Sequence, residues 1–420
     1  MKRLAAVTTV LEGEAAGAAY QVEGMMPAVV ALPASEAEVA ACLRVAAECG
    51  AAVIPRGGGT RMELGTPPRR CDVVLSLERL RTVVEYVPED LTVTVQAGMP
   101  LRELQALVGS RGQAVPLDPM GSPGTTVGGV MATAAIGPRR MVYGGPRDVL
   151  LGARVVLADG RVIRSGGRVV KNVAGYDLNK LLVGSLGTLG VLTELTLKLR
   201  PLPPCRRTFW LPCRHVGEAL AAAEAVLDSE LLPSAVTVLS GGAAGRLGLS
   251  GTAALVVELA ESTTNVAYQA DRLPEILRGW GTGAVAELAE ERQEAFWEGV
   301  RDYHRQGGAR WRLRIAAVLS TLEEQAQFAL TFPGVAIIAH AGSGSLFVYG
   351  QDPNPEALSA MVSRAASLGG GAVLEAAPPE VKQAVGVWGP PRPEWRLMRQ
   401  IKEALDPGGV LNPGRFVGGI

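Results

Sequence analysis

The sequence predicts a two-part protein of the α+β class. Its first half alternates helices and short apolar strands with glycine-rich stretches, whereas its second half mixes helices and strands without such stretches. A proline-rich segment at residues 201–204 separates the halves and is typical of a linker. The length of 420 residues fits two domains or one domain with a large insertion, since single domains commonly run to about 100–200 residues.

The first glycine-rich stretch follows a predicted helix and strand. Ser35 can cap the helix, because a serine hydroxyl accepts a hydrogen bond from a backbone N–H of the first turn. Gly50 predicts the helix end, since glycine commonly occupies the first position after a helix. Residues 51–54 then form a short buried strand, and residues 55–60 read Pro-Arg-Gly-Gly-Gly-Thr. We therefore expect this loop at the carboxyl end of the strand.

Apolar periodicity predicts the remaining elements of the first half. Asp159 and Gly160 predict a tight hairpin turn between two strands. Helices are predicted at residues 101–108 and 178–183, and strands at residues 73–77, 83–87, 91–96, 149–157, 162–163 and 191–199.

The second half alternates helical and extended patterns, which indicates an α+β or ferredoxin-like domain. Helices are predicted at residues 216–227, 266–277 and 286–300, and strands at residues 235–239, 253–259, 312–318, 335–339 and 345–349. The tail is predicted as a helix at residues 398–405 followed by a turn-rich terminus.

The composition excludes several functional classes. Lysine and arginine together number 41, as do aspartate and glutamate, whereas nucleic-acid-binding domains usually carry a basic excess. The five cysteines form no Cys-x-x-Cys pair, so we expect neither disulfides nor an iron–sulfur cluster held by this chain alone. Glu12 and Glu14 interrupt the apolar N-terminal run, which argues against a signal peptide. No apolar run approaches the roughly 20 residues of a membrane-spanning helix, and we expect a cytoplasmic protein.

Two more glycine-rich stretches lie in the first half. Residues 121–129 read Gly-Ser-Pro-Gly-Thr-Thr-Val-Gly-Gly, and residues 184–190 read Gly-Ser-Leu-Gly-Thr-Leu-Gly. Backbone N–H groups in such loops form concave anion sites, and the missing Cβ lets a ligand approach the backbone. A P-loop is excluded because no glycine precedes Lys and Ser or Thr, and a Rossmann fingerprint is excluded because the third stretch precedes a strand. A dinucleotide held mainly by backbone fits these loops.

The order of these motifs resembles the FAD-binding domain of the vanillyl-alcohol oxidase and p-cresol methylhydroxylase flavoproteins. The matching segments are residues 55–60, 125–129, 144–147 and 171–190. The resemblance implies an α+β fold with a two-subdomain FAD-binding domain of the p-cresol methylhydroxylase type at residues 1–204. A ferredoxin-like α+β cap would follow at residues 205–397, and residues 398–420 would return to the FAD-binding domain.

The same resemblance implies which residues bind FAD. The first two loops would wrap the pyrophosphate with backbone N–H groups, the strand after Gly190 would lie near the adenine, and residues 137–144 would lie along the flavin ring. Some relatives attach FAD through a histidine at the position of Thr60, and because threonine cannot form that bond we expect non-covalent FAD. The implied FAD-binding residues are Pro55, Arg56, Gly57, Gly58, Gly59, Thr60, Pro119, Gly121, Ser122, Thr125, Thr126, Val127, Gly128, Gly129, Ala132, Tyr143, Gly187, Gly190, Val191 and Asn412.

Three segments, residues 169–180, 310–314 and 411–415, resemble the FAD-binding E subunits of bacterial glycolate oxidases. That resemblance implies two partners, another flavoprotein subunit and an iron–sulfur subunit, and a small 2-hydroxy acid as the substrate. Glycolate would be oxidised to glyoxylate, the flavin would accept a hydride, and the electrons would pass to the partner subunits. Any association with a membrane would come through these partners.

Residues 339–347 resemble an eroded form of the His-Ala-Gly-Asp-Gly-Asn-Leu-His motif of D-2-hydroxy-acid dehydrogenases in this superfamily. His340 keeps the first histidine, but Phe347 replaces the second, and Ala376 follows Glu375 where the family has histidine. One histidine supplies too few ligands for a metal site, so we expect no catalytic metal. His340 is the candidate catalytic base, with a pKa near neutrality. A structural hydrogen bond is the alternative role, and the loss of the partner histidines favours it.

Arg310, Arg312 and Arg314 alternate with apolar residues and would share one face of a strand. Arg312 fits the family pattern best and is the second candidate catalytic residue, since a guanidinium binds carboxylates in a bidentate manner. Its ligand would be the substrate carboxylate or the flavin. A solvated strand face or an interface is the alternative.

Other polar side chains have weaker assignments. Arg139 and Arg140 are candidates for neutralising phosphate, with solvent exposure as the alternative. Lys171 and Tyr176 are candidates for a ligand contact, with ordinary packing and surface charge as the alternative. His215 and His304 lie in charged or helical sequence and are expected at the surface.

Three functions remain open on the sequence alone. The first is an FAD-binding subunit of a glycolate oxidase complex, which the ordered loop set favours. The second is a self-sufficient FAD-dependent D-2-hydroxy-acid dehydrogenase. The third is a structural subunit of the complex that keeps the fold without a redox-active flavin.

Overall fold

The structure is a computed structural model that describes residues 2–121, 123–167, 176–306 and 308–420. Ser122 and Lys171 lie outside the described residues, as does most of the segment that resembles the glycolate oxidase subunits at residues 169–180.

In the described part of the chain, strands of the N-terminal half (residues 2–201) form two main sheets. The order of the first sheet is β1-β2-β4-β3 and that of the second is β5-β6-β10-β8-β9, while β7 and β11 pair separately. The first sheet is parallel except for its pairing with β1, and the second is antiparallel. The strands are β1 (Thr9–Leu11), β2 (Val29–Leu32), β3 (Val53–Arg56), β4 (Val73–Ser76), β5 (Val83–Val87), β6 (Thr92–Gln96), β7 (Gln113–Ala114), β8 (Leu150–Val156), β9 (Val162–Gly166), β10 (Val191–Lys198) and β11 (Arg200–Pro201).

Helices of the N-terminal half pack against these sheets, and the predicted unit before the first glycine stretch is confirmed. Ser35 accepts a hydrogen bond from the backbone N–H of Glu38, and Gly50 follows the helix with a φ of 61°. Gly160 turns the β8–β9 hairpin with a φ of 80°, as its sequence predicts. The helices are α1 (Lys2–Ala5), α2 (Glu36–Glu48), α3 (Leu101–Gly109), α4 (Val127–Thr133), α5 (Arg140–Tyr143), α6 (Pro146–Val149) and α7 (Leu178–Leu182).

Residues 205–385 form a second body, which we call the cap. Its described strands build one antiparallel sheet in the order β15-β12-β14-β13-β17-β18-β16-β19. An antiparallel sheet with helices packed against it is an α+β arrangement, which confirms the predicted class. The strands are β12 (Cys205–Cys213), β13 (Ala235–Ser240), β14 (Ala253–Glu261), β15 (Ala286–Glu287), β16 (Trp311–Ala316), β17 (Ala336–His340), β18 (Ser345–Gly350) and β19 (Gly371–Ala376).

The two faces of the cap sheet pack against different partners. The outer face packs on helices in a core that includes Leu255, Leu313 and Ile337. The inner face packs on the helical residues Ala243 and Trp297 of the cap and on the N-terminal half, where Met120 belongs to the same cluster as Phe347. Polar groups on the inner face are therefore buried between the two bodies. The remaining helices are α8 (Val216–Leu227), α9 (Gly241–Arg246), α10 (Thr263–Ile276), α11 (Glu290–Arg301), α12 (Tyr303–Gln306), α13 (Leu322–Leu330), α14 (Pro355–Ser367), α15 (Pro379–Val385) and α16 (Trp395–Leu405).

The helix predicted at residues 286–300 begins later than the sequence pattern indicates. Ala286–Glu287 form β15, which pairs with Phe209 and Trp210 of β12, and α11 begins only at Glu290. Strands β12 and β19 and helices α13 and α14 were not predicted. Their ladder hydrogen bonds and packing partners come from distant parts of the chain, which a local pattern does not reveal.

The C-terminal tail (residues 406–420) lies against the strand that precedes the first glycine stretch. Val53 donates its backbone N–H to Val410 O at 2.7 Å, and Asn412 donates its own to Val53 O at 2.9 Å. Lys402 of α16 donates to Leu411 O at 2.9 Å and to Thr188 O at 2.8 Å. The tail is thus joined to the first and third glycine stretches. Across the described ranges, no helix is long and apolar enough to cross a membrane.

Lys382 of α15 is a buried ammonium that joins the cap to the N-terminal half. Its Nζ donates to Glu23 Oε1 at 2.5 Å, to Gly65 O at 3.3 Å and to Glu63 O. Burial lowers the pKa of Lys382 and raises the pKa of Glu23, although each charge opposes the shift of the other. Burial therefore disfavours the charged form of both groups, and each group needs the charge of the other to remain ionised.

Replacing Lys382 alone is expected to destabilise the protein strongly. Lys382→Met should lower the free energy of unfolding by about 3 kcal/mol, because it removes the ammonium that is paired with the buried Glu23 carboxylate. The double variant Lys382→Met, Glu23→Gln should recover part of that loss, because no unpaired charge remains. Urea unfolding of the three proteins measures the effect, and equal losses in the single and double variants would contradict the pairing.

Candidate functional site

The three glycine stretches converge on one narrow cavity of about 100 Å³. The first loop follows β3, the second leads into α4, and the third precedes β10. The cavity is also bordered by the C-terminal tail. The predicted FAD-binding residues that line it are Pro55, Arg56, Gly57, Gly58, Gly59, Thr60, Thr125, Thr126, Gly128, Gly129, Ala132, Gly187, Gly190, Val191 and Asn412.

Glycine is required where the first two loops touch. A Cβ on Gly58 would lie 1.7 Å from the carbonyl oxygen of Gly124, and a Cβ on Gly57 would lie 2.2 Å from Thr126 Oγ1. Thr60 Oγ1 and Thr125 Oγ1 are 3.2 Å apart, which adds a side-chain contact between the same loops. The loops can reach this distance only without side chains at these positions, and they leave backbone facing the cavity.

Asn412 extends the cavity wall from the C-terminal tail. Its Nδ2 donates to Leu186 O of the third stretch at 2.5 Å, while its buried Oδ1 has no hydrogen-bond partner in the described residues. A buried acceptor without a partner is costly. A ligand with a hydrogen-bond donor, or a water molecule, would satisfy it.

A second cavity, of about 550 Å³, lies between the N-terminal half and the cap. Three further predicted residues, Pro119, Gly121 and Tyr143, line it, and Thr125 lines both cavities. This volume is within the usual range of about 300–1,000 Å³ for ligand pockets. The two cavities share Thr125, and predicted FAD-binding residues line both of them.

Val127 does not line either cavity. Its side chain is fully buried in the apolar core, and its backbone N–H donates to Met99 O at 2.9 Å. Arg56 lines the first cavity, but its guanidinium stacks over Tyr20 at 4.6 Å and lies 3.9 Å from a carboxylate oxygen of Glu78.

Arg139 forms a buried ion network and is neither a surface residue nor a free cation for phosphate. Its Nη2 lies 2.6 Å from Glu258 Oε1 on the inner cap face, and its Nη1 lies 3.1 Å from Asp118 Oδ1. Arg301 also contacts Asp118 Oδ1 at 3.0 Å. Burial alone would raise the pKa of both carboxyl groups, but Arg139 holds each below its usual value. The network therefore remains ionised and joins the two bodies beside the second cavity.

His340 ends β17 on the inner face of the cap sheet and is 1% exposed. Its Nδ1 lies 3.0 Å from Thr237 Oγ1, and its Nε2 has no partner among the described residues. Phe347 packs edge-on against the imidazole at 5.6 Å, where the related motif has its second histidine. Burial lowers the pKa of His340 to about 4, so the expectation of a pKa near neutrality is wrong. The imidazole is neutral at pH 7 and is a weak base.

Arg312 and Arg314 lie on the inner face of β16, and both contact Glu375 of β19. Arg312 Nε is 2.8 Å from Glu375 Oε2, a close ion contact outside hydrogen-bond geometry, and Arg314 Nε donates to Oε1 at 2.9 Å. Arg61, which follows the first glycine loop, approaches the same carboxylate at 3.8 Å. Arg310 precedes the strand and is exposed. Only two of the three arginines expected on one strand face, Arg312 and Arg314, therefore lie on it.

The pKa of Glu375 falls to about 2 although the group is buried. Burial alone would raise it, but the three guanidinium groups of Arg312, Arg61 and Arg314 lower it by more. Glu375 is therefore ionised throughout the physiological range. Its carboxylate lies within 4 Å of all three guanidinium groups and holds them close to one another.

Tyr349 and His304 complete the surroundings of Arg312. Tyr349 is 1% exposed, burial raises the pKa of its phenol well above the usual value, and its hydroxyl has no partner in the described residues. His304 stacks on the Tyr349 ring at 6.4 Å, and burial lowers the pKa of its imidazole to about 4. His304 is therefore half-buried, not fully exposed as a surface position would imply. His215 is exposed, as expected, and it also caps α8.

The structure brings together residues that the sequence patterns did not connect. Asp118, Arg61 and Tyr349 were not candidates, although Arg61 directly follows the first loop and Tyr349 lies two positions after Phe347. Tyr176 is 98% exposed. In the described part of the chain, no cluster of three His, Cys, Asp or Glu side chains could hold a metal ion.

Comparison with known proteins agrees with this geometry. Residues 27–166 match the family described as FAD binding domain, and residues 390–416 match the family described as FAD linked oxidases, C-terminal domain. The cofactor of the matched domain is FAD, and the cavity suits a dinucleotide because residues of all three glycine stretches line it.

Curated relatives cover nearly the whole chain. Glycolate oxidase subunit GlcD of Bacillus subtilis (strain 168) is 29% identical over 93% of this chain and 89% of its own length. D-2-hydroxyglutarate dehydrogenase of Xanthomonas citri pv. viticola has the same identity and coverage. Glycolate oxidase subunit GlcE of Escherichia coli (strain K12) is 28% identical over 87% of this chain and 92% of its own length.

The solved structure of p-cresol methylhydroxylase with substrate bound shares the fold. It superposes with a TM-score of 0.75 at 16% identity and covers 99% of this chain and 95% of its own.

A methyl group on Gly58 is expected to abolish tight FAD binding. Gly58→Ala would place a Cβ 1.7 Å from Gly124 O and separate the first two loops, so the affinity for FAD should fall at least about ten-fold, or about 1.4 kcal/mol. The control is Gly109→Ala at the end of α3, where no atom lies within 4 Å of the added Cβ. FAD titration by fluorescence measures the affinity of each variant. Equal affinities in the two variants would contradict a role for the contact between Gly58 and Gly124 in FAD binding.

Glu375 is expected to make stability dependent on acid pH. Its pKa is about 2 in the folded protein against an ordinary 4.5, so its contribution is complete above pH 4.5 and is lost as pH falls toward 2. The loss amounts to about 3 kcal/mol. Glu375→Gln lacks this titration, and its unfolding free energy should fall less steeply between pH 5 and pH 2. Urea unfolding at several pH values provides the test, and parallel curves would disprove the assignment.

Proposed function

Because this chain belongs to the flavoprotein superfamily of vanillyl-alcohol oxidase and p-cresol methylhydroxylase, we propose that it is the FAD-binding subunit of a glycolate oxidase complex. The superfamily members that it resembles are FAD-linked oxidoreductases. The complex would oxidise glycolate, a small 2-hydroxy acid, to glyoxylate.

The observation that carries the cofactor assignment is the side-chain-free contact of the first two loops at Gly58 and Gly124. Backbone N–H groups of residues 57–60 and 125–129 would hold the FAD pyrophosphate without competing side chains. Asn412 would bind the cofactor from the tail, and Pro119, Gly121 and Tyr143 would border its flavin side. The binding is non-covalent, because Thr60 offers no ring nitrogen for attachment.

When bound, FAD supplies an acceptor for the hydride of a 2-hydroxy acid. The chain's own contribution lies on the inner cap face. Arg312 would bind the substrate carboxylate, because its buried Nη2 has no hydrogen-bond partner among the described residues. His340 would present its unpartnered Nε2 to the substrate hydroxyl.

The state of His340 supports a subunit role over independent turnover. A base with a pKa of about 4 is poorly matched to proton transfer near pH 7, where the best catalytic pKa lies near the working pH. Phe347 adds no second imidazole, since it packs as an apolar ring. The proposed partners are therefore another flavoprotein subunit and an iron–sulfur subunit that accepts electrons. We expect the complex in the cytoplasm, and any association with a membrane would come through these partner subunits.

The second candidate is a self-sufficient D-2-hydroxy-acid dehydrogenase. Two observations favour it. The chain is similar to D-2-hydroxyglutarate dehydrogenase, and hydrogen-bond donors at and near Arg312 have no partner among the described residues. In that case the isolated chain would reduce a dye with D-lactate or glycolate. The third candidate, a structural subunit, would retain the fold but bind no flavin in a productive state.

Absorbance and dye reduction distinguish the three functions. The purified chain with added FAD should show flavin bands, should reduce a dye with glycolate slowly or not at all, and should gain activity when its partner subunits are co-expressed. His340→Gln should then lower the complex activity by less than about ten-fold, because a weak base contributes little. Rapid dye reduction by the isolated chain that His340→Gln abolishes would instead establish the dehydrogenase, and the absence of flavin bands would refute FAD binding.

A further inference from the structure

The arginine cluster under the first glycine loop has more positive than negative charge. Arg61, Arg312 and Arg314 provide three guanidinium groups, whereas Glu375 and Glu63 provide two carboxylates within 4 Å of them. The neighbouring imidazole of His304 is neutral near pH 7, because burial lowers its pKa to about 4. Within 4 Å the cluster therefore has one more cation than carboxylates, and Asp302 interacts with Arg312 only from a longer distance.

The same place holds several buried donors, and one buried acceptor, Glu375 Oε2, that make no hydrogen bond among the described residues. Arg61 Nε, Arg312 Nη2 and the hydroxyl of Tyr349 are buried and make no hydrogen bond to any described residue. Tyr349 pairs with Arg312 across β16 and β18, so the hydroxyl and the guanidinium project from one sheet face. Unsatisfied buried donors are rare, and an anion with two oxygen acceptors would satisfy this set.

The other buried cations nearby are fully engaged. Lys382 has three oxygen acceptors, and Arg415 donates to Met62 O at 2.6 Å and to Leu64 O. Arg314 donates to Glu375, and its side chain is 26% exposed, so water can reach it. The unsatisfied positive charge is thus concentrated on Arg61 and Arg312.

Arg61 contacts three parts of the molecule. It follows Thr60 at the end of the first glycine loop, its Nη2 donates to Met120 O at 2.5 Å, and its Nη1 lies 3.8 Å from Glu375 of the cap. A Cβ built on Gly121 of the second stretch would lie 3.9 Å from Arg61 Nε. A ligand bound to Arg61 would therefore influence the first and the second glycine stretch.

We infer that Arg61 and Tyr349 join Arg312 in binding the carboxylate of the 2-hydroxy acid, and that this binding couples substrate occupancy to FAD retention. The inference rests on the proposed function. A carboxylate would supply the missing negative charge and accept from the unpartnered guanidinium and phenol groups. Because Arg61 is continuous with the first loop, ordering its guanidinium also orders the loop that holds FAD. By thermodynamic linkage, FAD would strengthen carboxylate binding by the same factor.

Oxalate is a suitable probe, because it has the carboxylate of glycolate and carries no hydride to transfer. The affinity of the full chain for FAD is measured by fluorescence with and without oxalate, against sodium chloride at matched ionic strength. Oxalate should tighten FAD binding about five-fold or more, which corresponds to a coupling of about 1 kcal/mol. Arg61→Gln should remove the effect and weaken oxalate binding about ten-fold.

Arg314→Gln is the matched control, because it removes a guanidinium from the same carboxylate but none of the unpartnered donors. It should keep the oxalate effect, and Tyr349→Phe should reduce it. An unchanged FAD affinity with oxalate, or an equal loss in Arg61→Gln and Arg314→Gln, would overturn the inference while leaving FAD binding intact. If the chain bound no FAD, the proposed function would fail first. Thermal stabilisation of the chain by oxalate, present in the parent and absent in Arg61→Gln, would still decide whether Arg61 binds the carboxylate.

Discussion

Residues 61–65, directly after the first glycine loop, are where the two bodies and the tail are joined by buried cations. Arg61 approaches Glu375 of the cap, Lys382 of the cap donates to two carbonyl groups of the segment, and Arg415 of the tail donates to two others. A buried cation needs acceptors to offset its desolvation, and backbone carbonyls provide them. The position of the first loop therefore depends on the cap and the tail as much as on its own sequence.

The glycine loops and the ion networks contribute in different ways. Steric fit decides how closely the first two loops approach, because any side chain at Gly58 would meet the backbone of Gly124. Charge pairing decides how the cap sits over them, through the contacts of Arg139 with Asp118 and Glu258. The first effect shapes a cavity lined by backbone, and the second keeps polar groups ionised beside it. The combination places predicted FAD-binding residues and groups of fixed charge around the same cavity.

Sequence patterns were reliable where the determining contacts are local. The cap of α2 at Ser35, the hairpin at Gly160 and the loop after β3 depend on neighbouring residues, and the structure has them as predicted. The patterns failed where partners are remote in the chain. Arg139 pairs with Glu258 and His304 lies beside Tyr349, and neither partner is within reach of a local motif. The low pKa of His340 likewise arises from burial by the whole cap, which periodicity does not report.

By itself the sequence determined the α+β class, the dinucleotide loops, the FAD cofactor and the absence of a second histidine at Phe347, because residue types and their order carry these properties. Only the tertiary structure decided that Glu375 gathers three arginines, that Arg61 belongs to this cluster, and that His340 is neutral. The physical reason is that charge and protonation depend on distance and burial, and the fold sets both by joining segments hundreds of residues apart, as in the contact of Arg61 with Glu375.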